Sequence, residues 1–150
     1  MRNRVHFHIT KHEDLPAEAA ALIDAGLETS NDAAAPLHEV RPLSCFARGE
    51  DGAVVGGAVG RSWGRCCELQ QLWVQPESRG HRIGSTLIKS FEELGQRRGC
   101  SIFYLETFSF QAPELYMSMG YEIAYEHAVY PHGIVKYVMV HTVANGATAA

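Results

Sequence analysis

Two arginines and two glycines lie between an apolar stretch and an amphipathic stretch in "VQPESRGHRIGSTLIKSF", residues 74–91. Pro76 ends the extended run, and a helix-like periodicity begins at Ile83. Gly80 and Gly84 allow backbone N–H groups to turn toward one point, beside the positive end of the helix dipole. This pattern favours an anion, and phosphate is the natural candidate.

Two known phosphate-binding patterns do not fit this loop. A P-loop requires GxxxxGK followed by Ser or Thr, whereas Gly80 and Gly84 are one residue too close and Ser85 stands where lysine is needed. A dinucleotide fingerprint also fails, because GxGxxG is absent and the preceding strands are typical of antiparallel hairpins. The run "GGAVG" lies inside a strand with no helix after it, which predicts a bulge or a close backbone approach.

The first half of the chain predicts one strand, one helix and then a β-rich segment. "VHFHIT" alternates as a strand, and "DLPAEAAALIDAGLE" is typical of a helix capped by Asp14, with Pro16 in its first turn. Residues 42–75 predict three antiparallel strands. The reversals fall at Asp51-Gly52 and at Gly64-Arg65.

The second half predicts the elements on either side of the loop. Apolar residues recur at the helical period from Ile83 to Leu94, and Gly99 ends that helix. "SIFYLET" is typical of a buried strand lying parallel or adjacent to the strand before the loop. "QAPELYMSMG" predicts a short helix from Pro113 to Gly120, and two strands follow in "YEIAYEHAVY" and "GIVKYVMVHTV". The fold class is therefore mixed α/β, with a sheet that changes from antiparallel to partly parallel.

Composition narrows the class of protein. A length of 150 residues is typical of one domain. The chain has 13 Lys and Arg and 17 Asp and Glu, and the resulting net charge of −4 argues against a nucleic-acid partner. Neither a membrane span nor a secretory signal is predicted, so we expect a cytoplasmic protein. The four cysteines have no CxxC or zinc spacing and are expected to be reduced. His6 and His8 lack a third ligand, so no metal is expected.

Two stretches resemble motifs of the GNAT superfamily of acetyl-CoA-dependent N-acetyltransferases. "CELQQLWVQPESRGHRIGSTLIKSF" resembles the family's central strand, [Q/R]xxGx[G/A] loop and helix, and "APELYMSMGYE" is similar to its later LYxxxGF/Y motif. The order of elements between Val5 and Val143 also matches. The resemblance implies a single GNAT-like domain over residues 1–143, with a mixed sheet of about six to seven strands flanked by about four helices. Residues 144–150 have too little apolar content to pack, so a flexible tail is expected there.

The resemblance also implies a site for acetyl-CoA as co-substrate. Backbone amides of residues 79–85 would hold the pyrophosphate, and the strand edge before them would bind the pantetheine arm. The implied cofactor-binding residues are Leu72, Trp73, Val74, Arg79, Gly80, His81, Arg82, Ile83, Gly84, Ser85, Ser109, Ala112 and Tyr116. Arg82 replaces the family's usual glycine, so its backbone is expected to avoid φ values that only glycine tolerates, and its side chain either holds a phosphate or faces solvent. Ser109 stands where many members have asparagine.

Two side chains are candidates for acid–base chemistry. Tyr116 occupies the position of the family's tyrosine that protonates the coenzyme A sulfur; the alternative is a core aromatic. Glu68 stands where some members carry the general base, and counting by two places it on one face with Gln70, Leu72 and Val74. Its alternative is a solvated strand residue. A backbone amide near Val74 would bind the thioester oxygen.

The implied reaction is direct attack by a primary amine in a ternary complex, without an acyl-enzyme. Acceptor selectivity is expected from "LETSNDAAAPLHEV" and "HAVYPHGIV"; a small amine, an antibiotic, an amino acid and a protein amine all stay open. The second hypothesis is a non-catalytic acyl-CoA-binding regulatory domain. The third is a toxin-like acetyltransferase acting on aminoacyl-tRNA. No membrane partner is expected, and a homodimer is allowed.

Overall fold

The computed structural model describes residues 3–144, and the chain divides into two compact units, Met1–His38 and Glu39–Ala150. The first unit contains helix α1, Ala17–Ala34. Pro16 precedes this helix and no side chain caps it, so the predicted Asp14 cap is wrong. The predicted strand "VHFHIT" is also wrong, since residues 5–10 have no regular structure. A strand exists only through a hydrogen-bonded neighbour, which an alternating pattern does not specify. Most of the predicted tail lies outside the described residues.

The second unit contains a six-stranded mixed sheet in the order β1-β2-β3-β4-β6-β5. Its strands are β1 Arg41–Arg48, β2 Val54–Trp63, β3 Cys66–Val74, β4 Ile102–Phe108, β5 Glu122–His127 and β6 Lys136–Thr142. β3 and β4 are parallel, and the other neighbours are antiparallel. The predicted change from antiparallel to partly parallel pairing is confirmed.

Two helices of the second unit connect the strands that surround the loop. They are α2, Ile83–Arg97, and α3, Pro113–Ser118, so the described residues hold three α-helices in all, compared with the four that were expected. The amphipathic face of α2 buries Leu87, Ile88 and Phe91 against the sheet. Burial of each such side chain contributes about 1.5–3 kcal/mol, so this packing holds the start of α2 against the end of β3.

A β-bulge interrupts the pairing of β2 with β3 between Val59 and Gly60. Gly60 is required here, because a Cβ atom would overlap the Glu68 carbonyl oxygen and lie 2.7 Å from the Phe91 ring. Val59 pairs with Gln71 and Gly60 pairs with Leu69, so Gln70 is the extra residue. The predicted bulge and close approach in "GGAVG" are confirmed.

The bulge changes which face of the sheet each β3 side chain occupies. Leu69 is buried in the core, and Leu72 and Val74 also pack against the core. In a regular strand an odd-numbered residue and an even-numbered residue would face opposite sides of the sheet. Glu68, next to Leu69, therefore lies on the face away from α2. The prediction that Glu68 shares a face with Leu72 and Val74 is wrong, because an inserted residue shifts the alternation by one.

Among the described residues, none of the helices combines the length and the apolar character needed to cross a membrane.

Candidate functional site

The candidate site lies where β3 and β4 separate. Their ladder pairs only Cys66–Glu68 with Ile102–Tyr104, so the rest of β3 is paired with β2 alone on its other edge. A cavity of about 1010 Å³ occupies the opening between the two strands and continues to the first turn of α2 and to α3. The cavity is therefore bounded by an unpaired strand edge on one side and a helix N-terminus at one end.

The N-terminus of α2 offers hydrogen-bond donors to the cavity. No side chain caps this helix, and its first turn has no acidic residue. The hydroxyls of Ser85 and Thr86 donate to the Arg82 carbonyl oxygen, at 3.1 and 2.8 Å, and so leave the first-turn N–H groups free of side-chain acceptors. Those N–H groups also lack partners within the helix, and the helix dipole adds positive potential. This end of the cavity is suited to an anion such as phosphate.

The loop before α2 contains two residues with positive φ. Gly80 has a φ of 86°, and Arg82 has a φ of 60° in the left-handed region. The expectation that Arg82 avoids such angles is wrong: the turn into α2 requires a left-handed residue at this position, at a cost of roughly 1–2 kcal/mol for a side chain other than glycine. Arg79 stabilises the turn, because its Nε donates to the Val74 carbonyl oxygen at 3.0 Å.

The cavity brings together most of the predicted cofactor-binding residues. Those that line it are Leu72, Trp73, Val74, Arg79, Gly80, Arg82, Ile83, Gly84, Ser85, Ala112 and Tyr116. His81 and Ser109 are not among the lining residues. Ser109 is engaged elsewhere: its N–H donates to the Val135 carbonyl oxygen at 2.8 Å, and its hydroxyl oxygen accepts from the Val135 N–H at 3.0 Å. It therefore connects β4 to the segment before β6.

Tyr116 lies on α3 and faces the cavity. Its side chain is mostly buried, and its ring meets the Tyr121 ring edge-on, with centroids 5.9 Å apart. The Tyr121 hydroxyl in turn donates to Glu92 at 3.0 Å, and the same carboxylate oxygen lies 3.0 Å from Nδ1 of His141. Burial raises the pKa of Tyr116 above the ordinary phenol value. The hydroxyl is thus held in its protonated form, which a proton donor requires.

Glu68 does not line the cavity. Its carboxylate accepts a hydrogen bond from Nε of Arg61 at 2.9 Å, and Glu68 pairs in register with Tyr104 on β4. Burial and the Glu68 carboxylate raise the pKa of Tyr104 to about 12. Glu68 is nevertheless the last β3 residue paired with β4, so it stands next to the opening on the face away from α2.

Several cavity residues between the end of β4 and α3 were missed by the sequence reasoning. They are Glu106, Thr107, Phe110, Gln111 and Leu115. The Gln111 side-chain oxygen accepts from the Thr107 hydroxyl at 3.0 Å and from the Phe108 N–H at 2.8 Å, which shapes the turn into α3. The signal that could have identified them was their place along the segment that runs from the end of a predicted strand into a motif-bearing helix.

The cysteines are not part of the site. All four are free thiols, and none lines the cavity. Burial raises the pKa of each thiol, and that of Cys67 rises to about 12. A thiol that stays protonated is a poor nucleophile.

Comparisons with known proteins agree in the family they indicate. The model described as "Acetyltransferase (GNAT) family" matches residues 10–121. A blasticidin-S acetyltransferase of Streptomyces morookaense is 37% identical over 109 residues, covering 70% of this chain and 80% of that protein. An acetyltransferase structure from Bacillus cereus shares the fold with a TM-score of 0.73 at 23% identity, over 89% of this chain and 98% of its own. A nourseothricin acetyltransferase structure has a TM-score of 0.59 at 26% identity, over 69% and 66%.

Proposed function

Because the chain belongs to the acetyltransferase (GNAT) family, we propose that it moves an acetyl group from acetyl-CoA to a primary amine, which attacks the thioester directly in a ternary complex. One observation carries this proposal. A single cavity extends from the uncapped N-terminus of α2, along the unpaired edge of β3, to the buried Tyr116 hydroxyl. These are an anion site, a row of backbone donors and acceptors, and a proton donor.

Each part of acetyl-CoA has a counterpart in this cavity. The pyrophosphate is held by the first-turn N–H groups of α2, with Arg82 beside them. The pantetheine amides bind the β3 edge over residues 72–74, in the way an added strand pairs with a sheet edge. A backbone N–H near Val74 donates to the thioester oxygen and stabilises the charge that develops there.

The proton transfers are assigned to two residues. Tyr116 donates its proton to the coenzyme A thiolate as the carbon–sulfur bond breaks. Glu68 accepts a proton, directly or through water, from the ammonium before attack or from the amine nitrogen as it attacks, on the face of the sheet away from α2. Support for this role comes from its position where β3 and β4 separate.

A thermal melt with acetyl-CoA tests the cofactor assignment, with NAD and ATP as controls. A ligand at about 100 times its Kd stabilises the folded state by roughly 2.7 kcal/mol, which raises Tm by several degrees in a domain of this size. We expect Arg82→Ala to reduce the shift and Arg97→Ala, at the opposite end of α2, to leave it unchanged. No shift with acetyl-CoA, or an equal one with ATP or NAD, would contradict the assignment.

Release of free coenzyme A thiol then tests the transfer itself. Because two relatives are acetyltransferases for blasticidin S and nourseothricin, those compounds head the panel, followed by small amines, amino acids and peptide amines. Acetyl-CoA binding without turnover on any member would favour a non-catalytic acyl-CoA-binding domain.

A further inference from the structure

Five aromatic side chains form a connected cluster at the end of the sheet that carries β5 and β6. The Phe108 and Phe110 rings are stacked, 5.3 Å apart and 9° from parallel, and Tyr130 meets Phe108 edge-on at 5.5 Å. His127 extends the cluster, 5.7 Å from Tyr130, and Tyr125 lies 5.8 Å from His127. We call these five residues the aromatic cluster.

Much of the cluster is open to solvent. Phe110 is 66% exposed and Tyr125 is 58% exposed. Aromatic rings are among the side chains that gain most from burial, so a connected exposed group of them is typical of a binding surface. The cluster therefore has the character of a binding surface.

Sheet geometry places the cluster on the face away from α2. The register sets Phe108 opposite Lys136, and Lys136 opposite His127, so these three side chains share one face. Leu105, three positions before Phe108, is buried on the other face, against the core that α2 covers. The α2 N-terminus and the cluster thus approach the strand opening from opposite sides of the sheet.

The cluster is continuous with the cavity at the acetyl-transfer end. Phe110 lines the cavity together with Glu106 and Tyr116. The Glu106 carboxylate lies 2.8 Å from Nζ of Lys136. The same Nζ lies 5.7 Å from the Phe108 centroid, so Lys136 connects the carboxylate to the cluster. A ring bound at Phe110 would lie at the same cavity as Glu106 and Tyr116.

We propose that the aromatic cluster binds the acceptor, and that the acceptor carries a planar aromatic or heteroaromatic ring a short distance from its primary amine. This inference rests on the proposed function, since it identifies the second substrate of the same site. The ring of the acceptor would stack on Phe110 and so extend the parallel Phe108–Phe110 pair. The net charge of −4 also favours a cationic acceptor.

Two matched amines test this proposal. The probes are 2-phenylethylamine and 2-cyclohexylethylamine, which have the same carbon skeleton and primary amine and differ in the planarity of the ring. Their Kd values are measured by ligand-observed NMR on protein saturated with coenzyme A, so that no acetyl transfer occurs. Aromatic stacking leads us to expect about two- to tenfold tighter binding of 2-phenylethylamine. Phe110→Leu should abolish that preference.

A matched variant controls for the loss of an exposed ring. Phe46 on β1 is 51% exposed and does not line the cavity, so Phe46→Leu should retain the preference. The coenzyme A Kd should be the same in wild type and Phe110→Leu.

Three results would overturn the inference: equal binding or no binding of the two amines, a preference that survives Phe110→Leu, or a loss of coenzyme A affinity alone, which would assign the ring to the adenine. Failure of the proposed function is separate. Wild-type protein without an acetyl-CoA shift would contradict the proposed function. The two amines would then be titrated without coenzyme A, and a ring preference that Phe110→Leu abolishes would still support the aromatic cluster as a binding surface.

Discussion

Removing one hydroxyl, in Tyr116→Phe, tests the proposed chemistry most directly. The ring keeps its edge-on contact with Tyr121, so the packing of α3 is preserved and the free energy of unfolding should change by less than about 1 kcal/mol. Loss of a general acid should lower kcat by about 10²- to 10⁴-fold, which corresponds to roughly 2.7–5.5 kcal/mol of activation free energy. The Kd for acetyl-CoA should change little.

The pH profile adds a second readout for Tyr116. Burial raises the pKa of this phenol, and an acid donates only while it is protonated. Activity that depends on Tyr116 is therefore fully present below the ordinary phenol pKa of about 10 and is lost only as pH rises through the higher value. In Tyr116→Phe this alkaline decrease in kcat should disappear.

Tyr121→Phe serves as the matched control. It removes a buried hydroxyl that donates to Glu92 at 3.0 Å, which should cost about 1–3 kcal/mol of stability and leave kcat nearly unchanged. Thermal melts and initial rates on both variants separate the two effects. A Tyr116→Phe enzyme with wild-type kcat would refute the assignment of the acid, and an equal loss of kcat in both variants would show that α3 packing was measured instead.

Four further predictions concern backbone space, the general base, thiol reactivity and alkaline stability. Gly84→Ala should raise the free energy of unfolding by about 0.5–1 kcal/mol, because alanine favours the helix and the new Cβ lies 3.4 Å from its nearest atom. Gly60→Ala should lower the free energy of unfolding by about 1–3 kcal/mol or more, because its Cβ would overlap a backbone carbonyl. Urea titrations of the two variants measure both changes. Glu68→Gln should lower the rate most at low pH, where the amine is protonated, and an unaltered pH–rate profile would leave this residue with a structural role only. Cys67 should react with iodoacetamide only after unfolding, because burial raises its pKa to about 12; rapid labelling of native protein, located by peptide mass spectrometry, would contradict this. Tyr104 should make stability fall as pH rises from about 10 to about 12, since the folded state holds this phenol proton more tightly than the unfolded chain; Tyr104→Phe should reduce that slope in alkaline melts.

Local patterns in the sequence were sufficient to predict the helices and strands around the loop that precedes α2. The apolar period from Ile83, the glycine after α2 and the proline at the start of α3 each depend on residues within one or two turns of each other. The same is true of the hairpins between β1, β2 and β3, whose turns contain Gly52 and Gly64 with positive φ. The family resemblance then implied a set of cofactor-binding residues on these elements, and most of those residues line one cavity.

Contacts between segments far apart in the chain determined the features of the site that the sequence did not predict. The side of the sheet that Glu68 occupies depends on the bulge opposite Gly60, and the loss of Ser109 from the cavity depends on its hydrogen bonds to Val135. Neither partner is visible from a local pattern, because each lies several residues away or more and is selected by strand register. Arg82 adopts a left-handed conformation because the packed ends of β3 and α2 determine the turn between them.

The sequence by itself determined the mixed α/β class, the order of most elements, the glycine-containing loop before α2 and the tyrosine on α3, since these follow from short-range periodicity, turn residues and motif spacing. Only the tertiary structure decided where β3 and β4 separate, which β4 residues enter the cavity, and how five aromatic side chains from β4, β5 and their adjoining loops meet beside it. The physical reason is that a cavity is a space between segments far apart in the chain. Its walls are determined by sheet register and packing, and not by the local preferences of any one segment.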